Sequence, residues 1–300
     1  MYLLVGGTGL LGGRVAARMR ERGLPVRALV RPTSDGSGLA ALGVEVMGGD
    51  IRDRASIDAA LVGVDTVVTT ANAMARNLAG DTTISIHDVD ELGNANLIDA
   101  AVRAGVARFV FVSADREELE ADTPFTRAKL ATEARLVNAP FRAVIVRPEA
   151  FQEVWLSPMV GVDLPHGTVR VFGKGKAHRA YVAVDDVAEA IVRLTVMDEP
   201  PGEAVVAGPE ALSFEEIVVR WTELTAKPVK VSHVPRPMLA IGSTMLRPFK
   251  PALSSTMGMA LYADGRDGTA SAVTIRELGI EPRSVTAYLQ DLASMEAAPV

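Results

Sequence analysis

Seven residues near the N-terminus, Gly6-Gly7-Thr8-Gly9-Leu10-Leu11-Gly12, have the types and spacing to hold a phosphate with main chain alone. Lacking a Cβ, Gly6 and Gly7 reach backbone angles closed to other residues. Gly9 lets the chain approach a pyrophosphate, and Gly12 lets a following helix lie close to the preceding strand. With Thr8, Leu10 and Leu11 completing the turn, the free N–H groups and positive dipole end of that helix would face the anion. Two spacings fit: Gly7, Gly9 and Gly12 match the general dinucleotide fingerprint, and Gly6, Gly9 and Gly12 a wider GxxGxxG. Spacing alone leaves both open.

A dinucleotide site calls for an acidic side chain about 20 residues further on, to hold the ribose hydroxyls. Here the run VRALV ends instead in Arg31. A carboxylate there would repel a 2′-phosphate, whereas a guanidinium grips it with two bonds, so Arg31 points to NADP(H). The ordinary alternative for Arg31 is a solvated charge at a strand end. Glu149, Phe151, Gln152 and Trp155 follow the last apolar run of the first half, where ligands of nucleotide folds collect, and are the candidate substrate contacts. Tyr181 would line the same pocket or simply pack in the core. His87, His166, His178 and His233 are scattered, with no two at metal-ligand spacing, and no metal is expected.

These residues need a frame. Leu3 to Val5 read as a buried strand, and Val15 and Met19 open a helical apolar stripe, so the glycines lie at a strand-to-helix turn. Apolar runs at 25–30, 44–47, 66–70, 108–112 and 141–146 alternate with helical patterns at 55–61 and 92–104, the latter ending at Gly105. The expected fold class is therefore α/β, a Rossmann-type doubly wound parallel sheet with a smaller C-terminal substrate-binding region. Residues 1–150 would form the nucleotide-binding domain, with its sheet completed by about 178–200. Residues 151–177 and 201–300 would form the substrate region, 151–175 being a covering insertion. The run 180–184 reads as a return to the main sheet, followed by a helix capped by an aspartate, Asp185 or Asp186. Ser213 and Glu216 form a capping box, and 229–233 reads as a further strand. Met238, Leu239, Ile241, Met245 and Leu246 read as buried packing rather than as a flexible lid.

The chain has 300 residues, 48% of them hydrophobic, enough for a sizeable core. A net charge of −6 without a long basic run argues against a general nucleic-acid binder. The absence of cysteine removes disulfides and thiolate catalysis. No apolar run approaches the roughly 20 residues that cross a bilayer. Met1 and Tyr2 lead directly into the first strand rather than into a signal-peptide layout, and a soluble cytoplasmic protein is expected, with a small-molecule substrate and an oligomeric state left open.

Seven segments together resemble the atypical short-chain dehydrogenases/reductases, in their NmrA-like and isoflavone-reductase-like branch. They are GGTGLLG at 6–12, VRALVR at 26–31, GD at 49–50, FVSA at 111–114, PFTRAKLATE at 124–133, VRPEAF at 146–151 and AYVAVDDVAEA at 180–190. The resemblance covers nearly the whole chain. It implies that Asp50 and Ile51 line the adenine pocket, that Thr70, Ala71 and Asn72 pass beside ribose and nicotinamide, and that Pro148 borders the cofactor.

Typical and extended short-chain dehydrogenases use Tyr-x-x-x-Lys on one helix face for proton exchange. Here Phe125 stands where the tyrosine should be, while Lys129 and Glu133 follow on the same face. This F-x-x-x-K arrangement resembles the isoflavone reductases, and implies that Lys129 handles the proton or orients the cofactor by itself. Ser113 would bind substrate or cap the strand end. The reading is an NADPH-dependent reductase passing hydride to a carbonyl, quinone, enone or imine of a small, largely apolar compound. The alternative is a catalytically silent NADP(H)-binding redox sensor, which the missing tyrosine favours. A sugar-nucleotide epimerase or dehydratase, suggested by the 180–190 segment, would lack its acid/base residue.

Overall fold

A computed structural model describes residues 1–81 and 83–297. The sheets follow from the apolar runs. The strands are β1 (Tyr2–Val5), β2 (Val26–Val30), β3 (Glu45–Gly48), β4 (Thr66–Thr69), β5 (Arg108–Val112), β6 (Arg142–Pro148), β7 (Val162–Asp163), β8 (Thr168–Phe172), β9 (Glu203–Val206) and β10 (Lys230–Val234). Among the described residues the main sheet has the order β3-β2-β1-β4-β5-β6-β9. Its inner strands are buried on both faces, Leu3, Leu4, Val67, Val68, Phe109 and Val110 being fully enclosed, as a parallel sheet covered by helices on both sides requires. β1 pairs in parallel with both β2 and β4, which places the topological switch at the C-terminal ends of β1 and β4.

The chain divides into two compact units: Met1–Ala114, Arg127–Arg147 and Val187–Ala204 in the first, and Asp115–Thr126, Pro148–Asp186 and Val205–Val300 in the second. The second carries a small sheet, β10-β8-β7, in which β8 pairs parallel with β10 and antiparallel with β7. Its core gathers Leu164, Val169, Val171, Ile217, Trp221 and Leu289. The helix Phe214–Thr225 begins with the expected capping box of Ser213 and Glu216.

Four expectations need correction. Residues 180–184 do not join the main sheet. The outer edge of β6 is taken by the 202–206 stretch, Ile145 N–H donating to Gly202 and Glu149 N–H to Val206, which leaves only isolated bridges from Phe151 to Val182 and from Arg179 to Leu212. Asp185 and Asp186 lie in the first turn of the helix Val184–Val196, and it is Glu153 whose carboxylate accepts from the Val184 N–H. The helix expected from residue 92 starts earlier, as a π-helical stretch His87–Gly93 running into Asn94–Arg103. Its end matches the sequence: Gly105, at φ +69°, takes the left-handed position beyond it. The apolar set around residue 240 sits on the helix Arg236–Met245, but only Leu239 is buried; Met238, Ile241 and Met245 face outward.

Candidate active site

The glycine turn has the form the sequence predicts, and its geometry chooses between the two spacings. Gly6 has φ +89°, and a Cβ on it would stand 2.8 Å from the Ala71 nitrogen and 2.7 Å from Thr70 Oγ1. A Cβ on Gly12 would lie 2.1 Å from the Gly6 carbonyl oxygen. Gly7 is less constrained: its φ is ordinary, and a Cβ would press only on the side chains of Leu39 and Leu4. Gly6, Gly9 and Gly12 are thus the operative set. Gly9 is the N-cap of the helix Leu10–Glu21, without a side-chain cap and with no acid in the first turn. A Cβ there would meet only the Gly6 oxygen, at 3.3 Å, so the outer face of the turn is open. Thr8, Gly9 and Leu10 are exposed and Leu11 half-buried. The first N–H groups of a 12-residue helix are left to an external acceptor.

Thr70 and Ala71 close the other side of this turn, because Thr70 N–H bonds the Val5 carbonyl at 2.9 Å and Thr70 Oγ1 reaches Gly6 O at 3.3 Å. The structure therefore brings the turn and the loop after β4 together at the switch point. Asn72 is exposed, its side-chain oxygen accepting from the Met74 N–H.

At the end of β2, Arg31 is half-buried, and its guanidinium forms no hydrogen bond or ion pair among the described residues. Burial and the like charges of Arg76 and Arg52 lower its pKa, with Asp50 and Asp81 opposing. Those carboxylates have arginines of their own. Arg52 holds Asp50 at 2.8 to 3.1 Å, and Arg76 lies 3.6 Å from Asp81. Ile51 is buried, packed where a Cβ on Gly93 would strike it. Three guanidiniums around two carboxylates, one of them unpaired, make an anion-seeking corner.

Lys129 lies on the helix Pro124–Val137 and is only 3% exposed. Its Nζ donates to the Val112 carbonyl at 2.9 Å and sits 4.8 Å from the centre of the Phe111 ring. Burial lowers its pKa, against the opposing pull of Asp90 and Glu133. Asp90 is fully buried; it accepts from the Ala73 N–H at 2.9 Å, and desolvation pushes it up to about 6. Ser113, the other candidate, is committed elsewhere: its hydroxyl donates to Glu133, which is held by Arg147 through bonds of 2.8 and 2.7 Å. Arg147 also meets Glu203 at 3.0 Å, so Ser113 belongs to a buried ion network rather than to an open site.

The second unit has its own recess, walled by Trp155, Phe172, Phe214 and Met259 and faced by Glu118, Arg179, Tyr181 and Asp264. Trp155 lines this recess, and Tyr181 both packs in the core and lines it. Gln152 does not: it is fully buried, its amide nitrogen bonding the carbonyls of Tyr181 and Arg283 at 3.1 and 3.0 Å, which makes it a clamp between backbone segments. Phe151 is half-buried, and its backbone bridges to Val182. Pro148, at the end of β6, is buried.

Glu149 is 2% exposed with Oε2 unpartnered, and burial followed by the charge of Asp115 pushes it up to about 7. Glu118 was not anticipated. Its half-buried carboxyl is pushed up to about 8 by desolvation and by the neighbouring Glu149 and Asp115. Nothing in the charged run Arg116-Glu117-Glu118 marks one member as inward-facing; the burial comes from distant parts of the chain.

Residues 2–289 match the model of the NmrA-like family. The chain belongs to that family. Among curated relatives, the photosystem II assembly factor Ycf39 of Synechocystis is 27% identical over 96% of this chain and 89% of its own length. The (4-alkanoyl-5-oxo-2,5-dihydrofuran-3-yl)methyl phosphate reductase of Streptomyces griseus is 29% identical, covering 94% of each chain. In structure, the Citrobacter triphenylmethane reductase solved with NADP(H) superposes with a TM-score of 0.76 at 19% identity, over 98% of this chain and all of that one. Among the described residues, no helix is long and apolar enough to cross a membrane and no cluster of side chains is suited to a metal ion.

Proposed function

We propose that this NmrA-like protein is an NADPH-dependent reductase of small, largely apolar compounds. The observation that carries the reading is the pairing of an open Gly6, Gly9, Gly12 turn at the sheet's switch point with an unpaired Arg31 at the end of β2. The residues fit the cofactor: the helix N-terminus takes the pyrophosphate, Arg31 the 2′-phosphate, Asp50 and Ile51 border the adenine, and Thr70 to Asn72 border the ribose and nicotinamide. The relatives that are named as reductases, or solved with NADP(H), support the same assignment.

When bound, the reduced nicotinamide supplies a hydride to a carbon of the substrate, whose oxygen or nitrogen then takes a proton. The chain's own part is to bind, to orient and to provide that proton. Lys129, with its pKa lowered by burial, is the proton-handling or cofactor-orienting group in the first unit. Ser113 is left out of this path because Glu133 holds its hydroxyl. A nucleotide-binding protein without turnover is the competing reading, favoured by Phe125 and by relatives named for photosystem assembly.

Calorimetric titration with NADPH and NADH separates these points. NADPH should bind the more tightly, and Arg31→Ala should cost NADPH roughly 1.5 to 3 kcal/mol while leaving NADH nearly unchanged. Equal losses for both cofactors would defeat the assignment of Arg31. Oxidation of NADPH with a panel of quinones, enones and imines reads turnover; a protein that binds NADPH and reduces none of them would support the competing reading.

A further inference from the structure

The recess of the second unit contains four polar side chains, of which two are already used. Arg179 donates to Glu117 at 3.1 Å and to the Arg266 carbonyl at 3.4 Å. Asp264 accepts from the Lys174 N–H at 2.7 Å and from Arg236 at 2.8 Å. The side chains of Glu118 and Tyr181 form no hydrogen bond among the described residues, although Tyr181 is only 3% exposed. The phenol lines the recess, where an acceptor on a ligand can take its hydrogen bond. The walls are apolar and largely aromatic, with Tyr181 edge-on to Phe214 at 6.1 Å between ring centres.

The charges decide what kind of acceptor fits. Glu118 is faced by Asp115 on its own segment, by Glu149 after β6, which Glu117 also faces, and by Arg179 and Tyr181 on the bridging stretch; Asp264, paired with Arg236, lines the recess. Arg179 pairs with Glu117 and Arg236 with Asp264, which leaves Glu118, Glu149 and Asp115 as a carboxyl excess. A carboxyl that stays protonated near neutrality is a donor, as is the phenol. We propose that this recess binds a neutral, flat ring compound through a carbonyl oxygen accepting hydrogen bonds from Glu118 and Tyr181, and that it excludes anions. The proposal rests on the reductase reading for its functional meaning, since it names the substrate class of that activity, but the binding itself stands without it.

Trp155 lines the recess, and the chain's other tryptophan, Trp221, is fully buried, so tryptophan fluorescence reports occupancy. The full-length protein, with and without NADP⁺, is titrated with 2-methyl-1,4-naphthoquinone and with 1,4-naphthoquinone-2-sulfonate, correcting for quinone absorption. The absence of cysteine removes thiol addition as a side reaction. The neutral quinone should bind at least tenfold more tightly than the sulfonate at pH 6.5, and should weaken at least fivefold by pH 9. Glu118→Gln keeps a donor that does not titrate; it should retain binding and flatten the pH profile. Tyr181→Phe should weaken binding roughly three- to tenfold, the worth of one hydrogen bond. Equal affinity for both quinones, an unchanged pH profile in Glu118→Gln, or no quenching in the wild type would overturn the proposal. NADPH consumption with the same quinone and with the panel of enones and imines is scored separately: binding without any consumption removes the reductase reading and leaves the site standing.

Discussion

Lys129 concentrates the chemical question at the scale of single residues. Its buried Nζ, held by the Val112 carbonyl and opposed by Asp90, could be a structural tie as well as a proton donor, and the two roles differ in what a substitution does. Lys129→Met keeps length and apolar contact while removing the charge. If Lys129 handles a proton, kcat should fall by about 10² to 10⁴ with a smaller change in NADPH affinity. A variant with intact kcat but a lowered melting temperature would make Lys129 a tie only. Much of this was legible in the sequence, because helical spacing places Lys129 one turn beyond Phe125 whatever surrounds it. What spacing does not carry is occupancy of the hydroxyl at Ser113, spent on Glu133, or the raised pKa of Glu118, which depends on its burial and on the charges of Glu149 and Asp115.

At the scale of elements, the strand-to-helix turn makes a sharp distinction between two of its glycines. Gly9→Val adds a side chain on an open face with an allowed φ of −84°, so the protein should fold and lose nucleotide binding. Gly12→Val drives a Cβ into the Gly6 backbone at 2.1 Å and should instead destabilise the first unit by several kcal/mol or prevent its folding. Circular dichroism and NADPH titration of the pair check this; a folded Gly9→Val with normal NADPH affinity would put the cradle elsewhere. The sheet was readable because each inner parallel strand must be apolar on both faces, which gives unbroken runs such as Leu3 to Val5 and Phe109 to Val112. The same rule misassigned Ala180 to Val184, an equally apolar run that ends in bridges because the 202–206 stretch already occupies the edge of β6. β8, with every second residue exposed, shows the weaker alternating pattern and was absorbed into the expected insertion.

For the molecule as a whole, the buried acids set how stability responds to pH. Glu149 is pushed up to about 7 in the folded chain from an ordinary value near 4.5, and Asp90 and Glu118 are raised as well, to about 6 and about 8. A raised carboxyl favours the folded state while it stays protonated. The stability it contributes is therefore full below the unfolded pKa, is lost as pH climbs toward the folded value, and does not return above it. For Glu149 that window runs from about pH 4.5 to 7, and at about 1.4 kcal/mol per pH unit the loss is on the order of 3 kcal/mol. Asp90 adds to the loss below about pH 6, and Glu118 extends it to about pH 8. The melting temperature should therefore fall by several degrees between pH 5.5 and 8. Glu149→Gln, neutral throughout, should flatten the part below pH 7 and leave the part near pH 8 to Glu118. Thermal unfolding of wild type and variant across this range checks the account. A wild-type melting temperature that holds or rises from pH 5.5 to 8 would mean that these carboxyls ionise in the folded chain at ordinary pH, and that the recess is wetter than its walls imply.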